Sequence, residues 1–167
     1  MRAARLFVEQ ISDKIPRLIR LECDLYGSLA LTGVGHGTDS AVLLGLSGEE
    51  PERIDVDRAP DIVARIRATR QLMVGGRFEI PFWPDADLRM NKGVFLPGHS
   101  NAMVFTASFA DGAPVRQEFH SIGGGEVVAV GGERPRLANI ELKYNFESAA
   151  QLLALAHEHG AVIADIV

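Results

Sequence analysis

The chain has 167 residues, 47% of them hydrophobic and 23% charged, which fits one globular domain able to bury a sizeable core. Its formal net charge of -5 argues against a nucleic-acid partner, because binding phosphates needs a basic face. No run approaches the roughly 20 apolar residues of a membrane span, and MRAARLFVEQISDK turns acidic and polar too soon for a secretory signal, so a cytoplasmic protein is expected.

Residues 2–13 read as an amphipathic helix, with Ala3, Leu6, Phe7 and Ile11 at helical spacing. After Pro16, RLIRLECDLY alternates: Ile19, Leu21, Cys23 and Leu25 point one way, Arg20, Glu22, Asp24 and Tyr26 the other, as in a half-buried strand. Cys23 is the single cysteine and lies on the apolar side. It reads as a core residue, and neither an internal disulfide nor a cysteine-ligated cluster can form within one chain.

LTGVGHGTDS follows, then TDSAVLLGLSG reads as a helix that Thr38 or Asp39 could cap and Gly48 could end. EEPERIDVD is a connecting or edge segment. PDIVARIRATRQLMVGG reads as a second amphipathic helix, started by Pro60 and stopped by Gly75-Gly76. RFEIPF and DADLRM are short strands on either side of Trp83-Pro84. AMVFTASFADGAPVRQEFHSI is a β-hairpin turning at Asp111-Gly112. The strand EVVAV and the loop GGERPRLA come next, and then a helix in NFESAAQLLALAHEHG that Asn145 could cap and Gly160 close. Helices on an interrupted, partly antiparallel sheet make an α+β domain.

Three glycine-rich loops carry the candidate chemistry. In LTGVGHGTDS, Gly33 and Gly35 fit a dinucleotide fingerprint, but Thr38 stands at the third glycine and no lysine follows as a phosphate-binding loop needs. The glycines either only permit positive φ angles beside an idle His36, or leave that imidazole uncrowded so that a small substrate reaches it. In the second case Thr38 is placed to hydrogen-bond the ring or nearby backbone, holding one tautomer for a general base. LPGHSNAM carries His99, Ser100 and Asn101 after Pro97-Gly98, and SIGGG ends a strand on three glycines, Gly123 to Gly125. Of the remaining histidines, His120 falls on the polar face of its strand and is expected to face solvent. His157 and His159 fall in the last turn of a helix, where cations suit the dipole. No residues stand at convincing metal-ligand spacing.

YGSLALTGVGHGTD, LPGHSNAM and HSIGGG, in that order, resemble the β domain of bacterial iron–sulfur L-serine dehydratases, and the resemblance spans nearly the whole chain. It implies an α+β fold similar to the allosteric substrate-binding domain of some phosphoglycerate dehydrogenases, and a homodimer. Residues 1–160 would form the β domain, with 161–167 beginning a linker toward an α domain whose cysteines hold a [4Fe-4S] cluster. The implied activity is deamination of L-serine to pyruvate and ammonia. The implied site has His36 as base, Thr38 as its polar partner and His99 as a further catalytic histidine, with Asn101, Ser121, Gly123 and Gly124 lining the substrate pocket. The family's Gly-Pro-Ser-Ser-Ser-His-Thr segment is missing before these residues, so the isolated chain is expected to be inactive. The rival expectation is a non-catalytic regulatory module that binds L-serine or a related small anion.

Overall fold

The computed structural model describes residues 1–132 and 143–166. The chain divides into two compact units, Met1–Arg134 and Pro135–Val167. The first opens with helix α1 (Arg2–Gln10), followed by a 3-10 turn over Ser12–Arg17 and strand β1 (Leu18–Tyr26). Next come α2 (Ser28–Leu31), α3 (Thr38–Leu46), α4 (Ala59–Thr69), β2 (Gln71–Val74), β3 (Phe78–Pro81), α5 (Pro84–Asp87) and β4 (Leu88–Asn91). Strands β5 (Ala102–Phe109), β6 (Val115–Gly123) and β7 (Glu126–Ala129) complete it.

Five strands form one sheet in the order β4-β1-β5-β6-β7, while β2 and β3 pair as a separate hairpin. Among the described residues, only β4 runs parallel to its neighbour, β1; the other pairings are antiparallel. This is the α+β class with a mixed sheet that the sequence predicts.

One face of the sheet is apolar. Leu21, Cys23 and Leu25 of β1 share it with Met103, Phe105 and Ala107 of β5 and with Phe119 of β6, all buried. From α1, Phe7 stacks on Phe105 with centroids 5.4 Å apart, and Phe119 meets Phe105 edge-on at 5.8 Å. Helix α3 lies close against α1, since a Cβ added at Gly45 would come within 2.9 Å of the Ala4 methyl. Each large apolar side chain buried here contributes about 1.5–3 kcal/mol relative to exposure. Cys23 is a core residue as expected, and burial pushes its thiol pKa well up.

Several local expectations need correction. Ile19 is 59% exposed, and Leu18 takes the inward place, because the β1–β5 register shifts between Leu18 and Arg20. Such an irregularity slips the alternation by one residue. The second helix stops at Thr69 instead of reaching the glycines: Arg70 is left-handed at φ 56, and Gln71–Val74 goes on as a strand with Leu72 and Val74 buried. Gly75 and Gly76 are therefore the turn of the β2–β3 hairpin. Helix α3 is preceded by Gly37 at φ 67, and neither Thr38 nor Asp39 caps it.

In the second unit, α6 (Ala149–Glu158) precedes a short helix, α7 (Ile163–Ile166). Its cap is Ser148, not Asn145. The Ser148 hydroxyl accepts from the Gln151 N–H, and the Gln151 side chain accepts from the Glu147 N–H at 2.6 Å. That is a reciprocal arrangement of the capping-box kind. His157 and His159 are exposed at the helix end, as expected. The expected loop GGERPRLA lies outside the described residues from 133 onward.

Candidate active site

The sheet's topology brings the three glycine-bearing loops to one end. Tyr26 pairs with Asn91, so β1 and the parallel β4 finish together. There β5 begins beside Leu25, β6 finishes beside Ala102, and β7 begins at Glu126 opposite Gly123. The segments 27–37, 92–101 and 124–125 therefore all leave or enter the sheet at that end.

The first two segments are joined through their backbones. The Gly27 N–H donates to the Val94 carbonyl at 2.8 Å and the Ser28 N–H to the Ser100 carbonyl at 3.1 Å. Gly27 sits at φ 56, and a Cβ there would fall 1.9 Å from the Ser100 oxygen. Only glycine permits both the backbone conformation and the approach. Past α2, Gly33 packs tightly, with the Leu29 carbonyl 2.1 Å from where its Cβ would stand. Gly37 has open space around it and an ordinary carbonyl contact is all that Gly35 meets. Between these two, His36 is exposed, its backbone N–H shared by the Thr32 and Gly33 carbonyls. Thr38 begins α3 and donates its N–H to the Gly33 carbonyl at 2.8 Å. Among the described residues no side-chain hydrogen bond joins Thr38 to His36.

The second loop is built around His99. Its Nδ1 accepts the Asn101 N–H at 3.0 Å, so the neutral ring carries its proton on Nε2. Asn101 accepts the Ser121 N–H through its backbone carbonyl at 2.9 Å, tying this loop to the end of β6. The Asn101 side-chain oxygen Oδ1 is buried and has no hydrogen-bond partner among the described residues. Such an acceptor costs about 1–3 kcal/mol unless something donates to it. In the third loop Gly123, Gly124 and Gly125 all have positive φ, and open space surrounds each.

His99, Asn101 and Ser121 are thus brought into direct contact, and His36 and Thr38 are held at the same sheet end through the Gly27–Ser28 backbone bonds. Two further residues join them. His120 stacks on His99 with centroids 5.3 Å apart and planes at 22°, and its Nε2 lies 2.8 Å from the Glu118 carboxylate. The expected solvent-facing position of His120 is corrected: its side chain is 16% exposed, because the turn at Gly98 and His99 lies over it.

The second face of the sheet is polar and tightly paired. Arg89 reaches both Asp24 oxygens at 2.7 and 2.6 Å and Glu22 at 2.7 Å, clamping β4 to β1 directly below the loops. Burial pushes the Asp24 pKa up, but hydrogen bonds from Arg89 and Asn91 outweigh it and hold the carboxyl below its ordinary range. Cavities of ≈ 550 Å³ lie along α3 and α4, away from His36 and His99. The candidate site lies at the end of the sheet where these loops meet.

A family model described as serine dehydratase beta chain matches residues 1–131. The chain belongs to this family. An L-serine dehydratase of Streptomyces coelicolor is 40% identical over 173 residues, covering 100% of this chain and 38% of the relative. L-serine dehydratase 1 of Escherichia coli is 36% identical over 164 residues, covering 96% and 36%. An L-serine dehydratase of Mycobacterium bovis is 39% identical over 131 residues, covering 77% and 28%. This serine dehydratase beta chain therefore spans less than two fifths of the length of these curated relatives.

The resemblance also implies an iron–sulfur cluster, and this chain's residues do not fit one. Cluster irons are held by several thiolates. Cys23 is alone, fully buried in the core, and its thiol is pushed away from ionisation. Among the described residues no group of three His, Cys, Asp or Glu could hold a metal ion. No described helix is long and apolar enough to cross a membrane.

Proposed function

We propose that this chain is the β domain of an iron–sulfur L-serine dehydratase and supplies part of the site that deaminates L-serine to pyruvate and ammonia. The observation that carries this reading is the family match together with the convergence of the 27–37, 92–101 and 121–125 segments at one sheet end. The relatives that carry the name L-serine dehydratase are longer than this chain, so the reading assigns the [4Fe-4S] cluster to a separate α domain, fused or on another chain. Residues 1–160 are taken as the β domain and 161–167 as the start of the linker.

Each candidate residue then has a task. His36, exposed and flanked by glycines, takes the Cα proton of serine onto its neutral imidazole. Loss of the Cβ hydroxyl as hydroxide leaves the enamine, which tautomerises to the imine and is hydrolysed to pyruvate and ammonia. Thr38 is the polar neighbour that helps hold the loop carrying His36, through its N–H on the Gly33 carbonyl. His99, with Nδ1 engaged by backbone, offers its Nε2–H to the substrate carboxylate. Asn101 Oδ1 accepts from the substrate ammonium, a donor that the described residues do not provide. Ser121, Gly123 and Gly124 let the substrate approach the backbone closely.

The same end exposes apolar side chains on the first two loops, Leu31, Val34, Val94 and Phe95, and Ile122 near the end of β6. Apolar groups around a polar centre suit a docking partner, and the α domain is the partner this reading requires. It would close the site and exclude water. The enzyme would be cytoplasmic and homodimeric.

The test is pyruvate release from L-serine under anaerobic conditions, by the chain alone and by the chain combined with its cluster-bearing partner. The expected result is turnover by the combination and none by the chain alone. Pyruvate formed by the purified chain without cluster would contradict the reading.

A further inference from the structure

Among the described residues, the His99 ring meets contacts of two kinds, and only one of them belongs to its own loop. The Nδ1 hydrogen bond from the Asn101 N–H selects the Nε2–H tautomer. That bond engages one edge of the ring and leaves its face to other contacts. The restraint on its plane comes from β6, where His120 lies against it at 5.3 Å and 22°.

His120 is itself fixed. Its Nε2 stands 2.8 Å from Glu118 Oε1, and the two residues are two apart on one strand and so on one face. A carboxylate can only accept, so His120 Nε2 carries the hydrogen and donates it. Both side chains are mostly buried, at 16% and 21% exposure. The absence of a side chain at Gly98 completes the arrangement. A Cβ there would come within 3.3 Å of His120 Cε1, and glycine lets the turn rest on the ring.

We infer that Glu118 and His120 are positioning residues: Glu118 anchors His120, and the His120 ring is the plate against which His99 presents Nε2–H to the substrate. The inference rests on the proposed reading that His99 belongs to the site. Neither residue needs to touch substrate. Misplacing a group by about 1 Å costs on the order of a hundredfold in rate, so a slack His99 should show in kcat.

The experiment has two readouts. In the chain with 15N-labelled histidine, at about pH 8, above the ordinary histidine pKa of about 6.5, the His99 ring nitrogens are followed by NMR. The native chain should give one tautomer, with Nδ1 bare and Nε2 protonated. His120→Ala and Glu118→Ala should keep that tautomer but shift and broaden the ring signals as the ring reorients, while His120→Phe, which keeps a flat ring, should preserve the native pattern. In the chain combined with its cluster-bearing partner, His120→Ala should lower kcat by roughly tenfold to a hundredfold with KM nearly unchanged, and His120→Phe should restore most of it. If His120→Ala fails to fold, Glu118→Ala set against His120→Phe still decides. Native His99 signals in both alanine variants would overturn the inference. A His99→Ala enzyme with normal turnover would instead remove His99 from the site, whatever the ring signals report.

Discussion

Gly27 and Gly37 bracket the first site loop, and the physical demand on each differs. Both have positive φ, at 56 and 67. Around Gly37 there is open space, whereas a Cβ at Gly27 would sit 1.9 Å from the Ser100 oxygen. Gly37→Ala should therefore cost only the left-handed penalty, about 1–2 kcal/mol. Gly27→Ala adds a backbone collision and the loss of the Ser28–Ser100 bond, and should cost roughly 3 kcal/mol or more. Urea unfolding of both variants checks this, and equal costs would contradict the packing account. The sequence marks these positions as glycine but cannot say which are for conformation and which for contact. At Gly33 the reason is the Leu29 carbonyl, which no local pattern reveals. His120 was illegible for a related reason. Alternation assigns it to the polar face, and polar is taken to mean solvent, but the Gly98–His99 turn covers that face at this end.

At the scale of elements, the sheet depends on how β4 is held. It is four residues long and, among the described residues, lies at the sheet edge and pairs with β1 alone. Arg89 with Asp24 and Glu22 supplies what so short a ladder lacks. The Asp24 carboxyl pKa is held below its ordinary value in the folded chain. A depressed folded pKa contributes stability that is complete above the unfolded value, about 3.9, and is lost as pH falls through the folded one. The chain should therefore lose stability below about pH 4 as Asp24 protonates. Asp24→Asn should cost about 2 kcal/mol at neutral pH and flatten that part of the acid profile. Denaturant midpoints between neutral and acid pH measure both, and an unchanged acid limb in the variant would contradict the clamp. Strands with clean alternation, such as β5 and β6, were legible in the sequence. The junction of α4 and β2 was not, because the helical spacing runs on through Gln71–Val74 and the break lies in the Arg70 backbone, at a residue type that does not announce a left-handed turn.

For the molecule as a whole, the individual site loops could be read from their glycines and histidines, and their meeting at one end could not. That meeting follows from the parallel β1–β4 pairing, a contact between segments some 65 positions apart in the register of Asp24 with Arg89. Exposed apolar side chains at that end, Leu31, Val34, Val94, Phe95 and Ile122, are what the proposed docking of an α domain would cover. The claim at the centre of this account is that His36 is the base, with its flanking glycines there to keep the imidazole accessible. The most direct test is turnover of L-serine by His36→Asn in the chain combined with its cluster-bearing partner, with serine binding and cluster content measured alongside. The account predicts a loss of kcat on the order of a thousandfold or more with binding retained. Normal turnover would contradict it, leaving His36 a bystander and the end of the sheet a regulatory serine-binding surface or a site whose base comes from the partner.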